Sequence, residues 1–339
     1  MKKTFSALVV LALALTMILS GCNSSQQPAA QPGGTTPAPA KNYQLILATG
    51  GTAGTYYPLG GSMAQIFNSK IKGVNMTAQA TGASVENLKL VQKGDADLAM
   101  TQNDIADYSK NGTEAFKEKL ADIRGIATLY PEVIQIIVPA DSPIKTIADM
   151  KGKKVSVGAP GSGNEANARQ ILEVFGLTYN DIDELLLSYA ESADQFKDKQ
   201  IDAIFFTTGM PNSAIQDMTT ARPIKILNLD AETVKKIQAK YPFYEALTIP
   251  KGTYKGMDSD IQTVTVQAIL TVGAKADNDL VYNITKTLIE NATELAGANA
   301  KAKVLEAAIK DKNTIKGITI PLHPGAIKYY EEKGFAVKK

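Results

Sequence analysis

At 339 residues, 44% hydrophobic and 21% charged, the chain has the make-up of a globular protein with material for about two domains. Lys and Arg exceed Asp and Glu by only 36 to 34, and Lys2 and Lys3 account for the difference, which argues against a nucleic-acid binder. One Cys and one His exclude an internal disulfide and a thiolate metal cage, so no metal or cofactor is expected, and beyond residue 21 no apolar run approaches the roughly 20 residues of a membrane span.

In chain order the first element is a secretion signal at 1–21. Lys2 and Lys3 precede an apolar stretch at 5–19, and Leu19-Ser20-Gly21-Cys22 has the pattern of a bacterial lipobox, in which the Cys becomes an acylated first residue. Cys22 is the only thiol of the chain, and an unpaired exposed thiol is a liability outside the cell; lipidation by palmitate-type chains is the favoured reading over an incidental Cys. More than one acyl chain would hold the protein stably on the outer face of the cytoplasmic membrane. Residues 22–42 then read as the lipidated Cys and a tether, because 23–40 carry no charge and no large apolar side chain with which to offset chain entropy.

From there one order of elements runs twice. A strand at 44–48, a Gly-rich turn at 49–55, a helix at 56–68, a strand at 74–80, a turn at 81–83, a helix at 84–93 and a strand at 98–102 make the first unit. About 105 residues later come a strand at 154–158, a Pro/Gly turn, a helix at 164–175, a strand at 185–189, a helix at 192–199 and a strand at 203–207. Even the entries to the third strands match, with Asp97 and Asp202 in the same place. The pattern predicts an α/β protein of two lobes, each a mainly parallel sheet flanked by helices, with a ligand cleft between them. Long apolar crossings at 126–140 and 263–274 join the lobes, and helical periodicity at 277–295 and 300–310 covers the first. The expected domains are thus 43–140 plus 262–339 and 141–261.

In an open α/β sheet, ligands bind beyond the strand ends, where helix N-termini offer unpaired N–H groups to anions. Thr52, Gly54 and Thr55 in the first unit, and Ser162, Gly163 and Asn164 in the second, stand at such places, although Gly and Ser also simply close tight turns. Residues 161–166 match a dinucleotide fingerprint, but no acidic residue ends the following strand, which argues against a nucleotide. His323, between two prolines, reads as a helix cap. Asp95, Asp97 and Asp202 read as turn and cap residues. Arg169 faces the cleft or solvent, with an i, i+4 pair to Glu165 the favoured reading.

The run Ala-Thr-Gly-Gly-Thr-Ala-Gly-Thr-Tyr-Tyr-Pro-Leu-Gly-Gly at 48–61 is followed by Thr-Gly-Ala-Ser-Val-Glu-Asn at 81–87, Leu-Tyr-Pro-Glu at 129–132 and Val-Gly-Ala-Pro-Gly-Ser-Gly at 157–163. His-Pro-Gly-Ala at 323–326, Tyr329, Tyr330 and Glu332-Lys333-Gly334 complete a set that resembles the TAXI family, the extracytoplasmic solute receptors of one branch of TRAP transporters. The resemblance implies a type II periplasmic-binding-protein fold, no enzymatic activity, a small carboxylate or amino-acid ligand such as glutamate or glutamine, and delivery to a TRAP-type permease driven by an ion gradient. Two departures are the lipid anchor and Ala53, where the family often has Gly. Matching positions nominate Thr52, Gly54, Thr55, Tyr56, Ser84, Gln102, Asn103, Ser162, Gly163, Asn164, Thr207, Thr208 and Gly209 as ligand contacts; Tyr56 equally fits a core aromatic. The rival readings are a secreted enzyme with Ser162 as nucleophile, which lacks a nearby base, and an adhesive or immunogenic surface lipoprotein.

Overall fold

Strand and helix alternate through the first 100 described residues much as the periodicity predicts. The computed structural model describes residues 41–337, so the signal, Cys22 and nearly all of the tether lie outside the described residues. The chain proceeds through β1 (Tyr43–Ala48), α1 (Tyr56–Lys70), β2 (Val74–Gln79), α2 (Ser84–Lys93), β3 (Leu98–Gln102), α3 (Asn103–Asn111) and the long β4 (Ile123–Pro139). Then follow β5 (Lys154–Ser156), α4 (Gly163–Val174), β6 (Asp183–Leu185), α5 (Tyr189–Lys197), β7 (Ala203–Thr208), α6 (Ser213–Ala221), β8 (Ile224–Ile226), α7 (Ala231–Lys240) and β9 (Glu245–Ile249). The long β10 (Ile261–Gly273) and helices α8 (Asn278–Glu290), α9 (Ala292–Ala298), α10 (Ala302–Lys310) and α11 (Pro324–Glu332) complete it.

One mixed sheet has the strand order β2-β1-β3-β10-β4-β7-β5-β6. The two ends of that order mirror each other: the second, first and third strands of each unit are followed by one long strand. Within each unit the pairs are parallel, and the long strands run antiparallel to their neighbours. β4 pairs with β10 over its first part and with β7 over its second, so each of the predicted crossings is a single strand passing from one half of the sheet to the other. The repeat extends to atoms. Asp97 Oδ2 accepts from Ile46 N–H at 2.8 Å, and Asp202 Oδ2 accepts from Lys154 N–H at 2.9 Å, so each aspartate fastens its strand to the neighbouring first strand.

Both faces of the sheet are covered. Leu59, Met63 and Phe67 of α1 follow helical spacing and bury against the same cluster as Leu280, Ile284 and Leu288 of α8 and Tyr329 and Tyr330 of α11. The C-terminal helices therefore pack on the half built from the first unit. At the start of α11, His323 accepts Gly325 N–H at Nδ1, 3.1 Å, and burial pushes its pKa down, which suits a neutral cap. The other half has its own clusters, around Phe205 on one face and Phe196 and Phe206 on the other.

One predicted element is corrected. The strand expected at 185–189 ends at Leu185, and Tyr189 instead opens α5. The cause is a capping box: Ser188 Oγ accepts Glu191 N–H while the Glu191 carboxylate accepts Ser188 N–H at 2.9 Å, which starts the helix three residues earlier than the apolar pattern suggests. Among the described residues no helix is long and apolar enough to cross a membrane.

Candidate ligand-binding site

Four helices, α1, α2, α4 and α5, begin beside one cavity between the halves, at the ends of the strands that precede them. The cavity encloses about 580 Å³ of atom-free space including its mouth, the scale of a single small solute rather than a peptide. At every helix start the first N–H groups lack intrahelical acceptors and carry partial positive charge, and the starts of α1 and α4 both border the cavity. The α2 start is occupied already: Val85 and Glu86 N–H both donate to Gly161 O, at 3.1 and 3.3 Å, tying the second half to the first.

Of the nominated residues, Gly54, Thr55, Tyr56, Ser84, Gln102, Ser162, Gly163, Asn164, Thr207 and Thr208 line the cavity. Thr52 is exposed outside it. Asn103 is turned away, because β3 runs directly into α3 and successive side chains diverge; its amide joins Gly317 O at 3.0 Å and Gln267 N–H at 2.9 Å. Gly209 lies behind the lining, where an added Cβ would press on Thr55, Tyr130 and Lys301.

Several of the lining residues are structural in their side chains. Asn164 Nδ2 donates to Val157 O and Phe205 O while its Oδ1 accepts Thr207 N–H at 2.6 Å, clamping the ends of β5 and β7. Asn87 does the same in the first half, donating to Thr49 O and Met100 O. Ser162 Oγ caps α4 by accepting Glu165 N–H at 3.0 Å. Thr55 and Thr208 hydroxyls meet at 2.9 Å across the halves. Arg169 pairs with Glu114 of the first half at 2.9 Å and with Glu165 at 3.4 Å, away from the cavity.

The most telling residues were not nominated. Tyr130 and Glu132 project from the same face of β4, and Tyr189 comes from the first turn of α5. Glu132 is only 3% exposed; its Oε2 accepts from Gln102 Nε2 at 3.1 Å, and the Tyr130 hydroxyl stands 3.5 Å from Oε1. Desolvation pushes its pKa up to about 7, opposed first by the neighbouring Tyr56 hydroxyl and then by the Gln102 and Tyr130 donors. Tyr189 Oη bonds both the carbonyl and the N–H of Thr207, at 2.6 and 3.2 Å. Among the described lining residues Glu132 is the only carboxylate, and none is Lys, Arg or His. Two buried polar atoms of the lining, Gln102 Oε1 and Thr207 Oγ1, have no partner, and the Tyr56 hydroxyl, beside Glu132, meets none within strict hydrogen-bond geometry. Ala83, also in the lining, sits at φ 77°, ψ −145°, a conformation costly for any residue with a Cβ.

Unmet polar atoms around a cavity at the strand ends, supplied from both halves, describe a place for a ligand. The sequence profile of the NMT1-like family matches residues 47–334, which spans every one of these loops. The chain belongs to the NMT1-like family. This NMT1-like chain is also similar in structure to the periplasmic binding protein BugD, at 12% identity and TM-score 0.53, over 88% of this chain and 100% of that one. It is similar to the alkanesulfonate-binding protein SsuA from Xanthomonas axonopodis pv. citri, at 17% identity and TM-score 0.50, over 88% and 96%. A protein from Bordetella bronchiseptica RB50 matches at 19% identity and TM-score 0.50, over 85% and 88%. At these identities the likeness is one of fold: the NMT1-like chain has the α/β fold of periplasmic binding proteins.

Proposed function

We propose that the chain is an extracytoplasmic solute receptor that captures a small carboxylate or amino acid, glutamate- or glutamine-like, in the cavity between two lobes. The lobes are 43–140 with 262–339, and 141–261. The observation that carries the reading is the cavity itself, ringed by helix starts from both halves and lined by buried polar atoms that lack partners. A carboxylate at the α1 and α4 starts would meet N–H groups and favourable dipole charge. Thr55 and Thr208, Asn212 with Ala53, and Lys301 with Pro211 already bond across the halves, the contacts a closed clamshell would make. Catalysis by Ser162 is disfavoured because its Oγ serves as a helix cap and no His lines the cavity to act as its base.

The motifs at 48–61, 81–87 and 157–163 support the TAXI branch in particular, and with it a TRAP-type permease as partner; the lipobox supports attachment through Cys22 on the outer face of the membrane. Uptake in vesicles carrying receptor and permease would then follow an ion gradient and ignore ATP. For the receptor function, the test is a thermal-shift panel of amino acids, dicarboxylates and short sulfonates. A true ligand at 100 times its Kd adds about 2.7 kcal/mol of stability and separates clearly from the rest. A flat response across the panel contradicts the reading.

A further inference from the structure

We infer that Glu132 and Gln102 form a subsite for a primary ammonium group, so that the solute is cationic at one end and anionic at the other; this rests on the cavity being the solute site. Glu132 is a buried carboxylate that opens on free space, with no Lys, Arg or His among the described lining residues to balance it. A buried charge without a counter-charge is strongly disfavoured, and the missing partner is the group such a site is built to receive. Gln102 gives independent support. Its Nε2 is held 3.1 Å from Glu132 Oε2, the amide orientation an ionised Glu132 requires, since the reverse would set oxygen against carboxylate. That leaves Gln102 Oε1, on a side chain 2% exposed, as a second acceptor with no donor.

With the amide held this way, a proton on Glu132 would neutralise the charge but leave Gln102 Oε1 without a donor. A carboxylate would meet acceptors on both residues. An ammonium group carries three N–H donors and the missing positive charge, and so satisfies both at once. Gly163 makes the arrangement possible: a Cβ there would fall 2.2 Å from Gln102 Oε1, so the glycine lets the first half's amide lie against the start of α4. The ammonium subsite and the carboxylate-binding helix start therefore adjoin, as the two charges of an α-amino acid do.

The experiment is calorimetric titration of the full chain at pH 7.5 with the twenty standard amino acids, and then of the tightest binder against its des-amino carboxylic acid. The expected result is at least about 30-fold weaker binding of the des-amino acid, the low end for removing one member of a buried charge pair. In Glu132→Gln that preference should shrink to within about threefold, with thermal stability no lower than wild type because a buried charge is gone. Gln102→Met, which keeps the volume, should weaken the amino acid more than its des-amino partner and guards against a variant that misfolds. Equal affinity for both compounds in wild type, or an undiminished preference in Glu132→Gln, overturns the subsite while leaving the receptor reading in place. Failure of every amino acid and carboxylic acid to bind overturns both.

Discussion

Glu132 and Asp104 are both buried carboxylates whose pKa desolvation pushes up to about 7, yet they occupy different kinds of surroundings. Asp104 lies in the first turn of α3, within a joint between the halves. Its Oδ2 accepts Asn167 Nδ2 at 3.0 Å, the same amide reaches the Tyr244 hydroxyl, Tyr244 donates to Gln170, and Gln170 donates to Tyr108 back on α3. Unpartnered acceptors occur at both places, Asp104 Oδ1 and Asn167 Oδ1 in the joint and Gln102 Oε1 beside Glu132, but only Glu132 opens on the cavity. Similar raised pKa values thus accompany different surroundings, and what separates the two carboxylates is the free space next to Glu132, not the size of the perturbation.

The broadest way to break this comparison is pH. Folded Glu132 and Asp104 hold their protons up to about 7, whereas in the unfolded chain they release them near 4.5 and 3.8. Between those limits the unfolded state binds fewer protons, so the stability of the unliganded protein should fall as pH rises from about 4 to 7 and level off above. The total loss should reach at least about 3 kcal/mol for two such groups. Carboxylates held low by backbone N–H groups, such as Asp149, Asp181 and Asp230, act in the opposite sense only at lower pH, whereas buried His323, whose pKa is pushed down, acts in the opposite sense below 6.5 and offsets part of the fall. Urea unfolding at half-unit pH steps is the check. Glu132→Gln and Asp104→Asn should each remove about half the slope, and a slope that survives in either variant removes that residue from the account. Binding of an ammonium group needs ionised Glu132, so solute affinity should rise with pH up to about 7.

A sharper contrast comes from truncation. Asp104→Ala leaves the buried Asn167 amide with one of its two acceptors and should cost about 1–3 kcal/mol of stability, while Asp104→Asn should recover most of it. Solute affinity in a variant that remains folded should change little, because Asp104 does not line the cavity. Loss of affinity out of proportion to loss of stability would show that the joint between the halves is part of the binding machinery.

The smallest expected effect lies on the cavity side. Ala83 holds a positive φ, and Ala83→Gly should relieve strain and raise stability by about 1 kcal/mol, measurable as an increase in melting temperature. Asp104 has no positive φ to relieve, so a gain confined to Ala83 would locate the strain at the cavity. A lower melting temperature in Ala83→Gly would mean the conformation is relaxed in place.

Much of the fold was legible because a βα alternation carries two periodicities, and here it occurs twice. Turns rich in Gly at 49–55 and 157–163 mark strand ends, and those ends are where an open α/β sheet places ligands. The side chains were less legible. Glu132 hides in an apolar run that reads as a crossing strand; a lone carboxylate in such a run, two residues from Tyr130, is the signal that strand alternation would have turned into a site. Tyr189 was hidden by the capping box of α5. Asn164 and Asn103 look like ligand donors in sequence, but both amides are committed to backbone groups, a use that only three-dimensional proximity of strand ends reveals.

The central claim is that the cavity between the halves holds the solute with its ammonium end on Glu132. The direct measurement is a crystal structure of the full chain with the tightest amino acid found by calorimetry. The account predicts density in the cavity with the solute nitrogen about 2.7–2.9 Å from a Glu132 oxygen and within hydrogen-bond reach of Gln102 Oε1, and the solute carboxylate at the start of α4 or α1. A solute carboxyl oxygen against Glu132, or density outside the cavity, would contradict it.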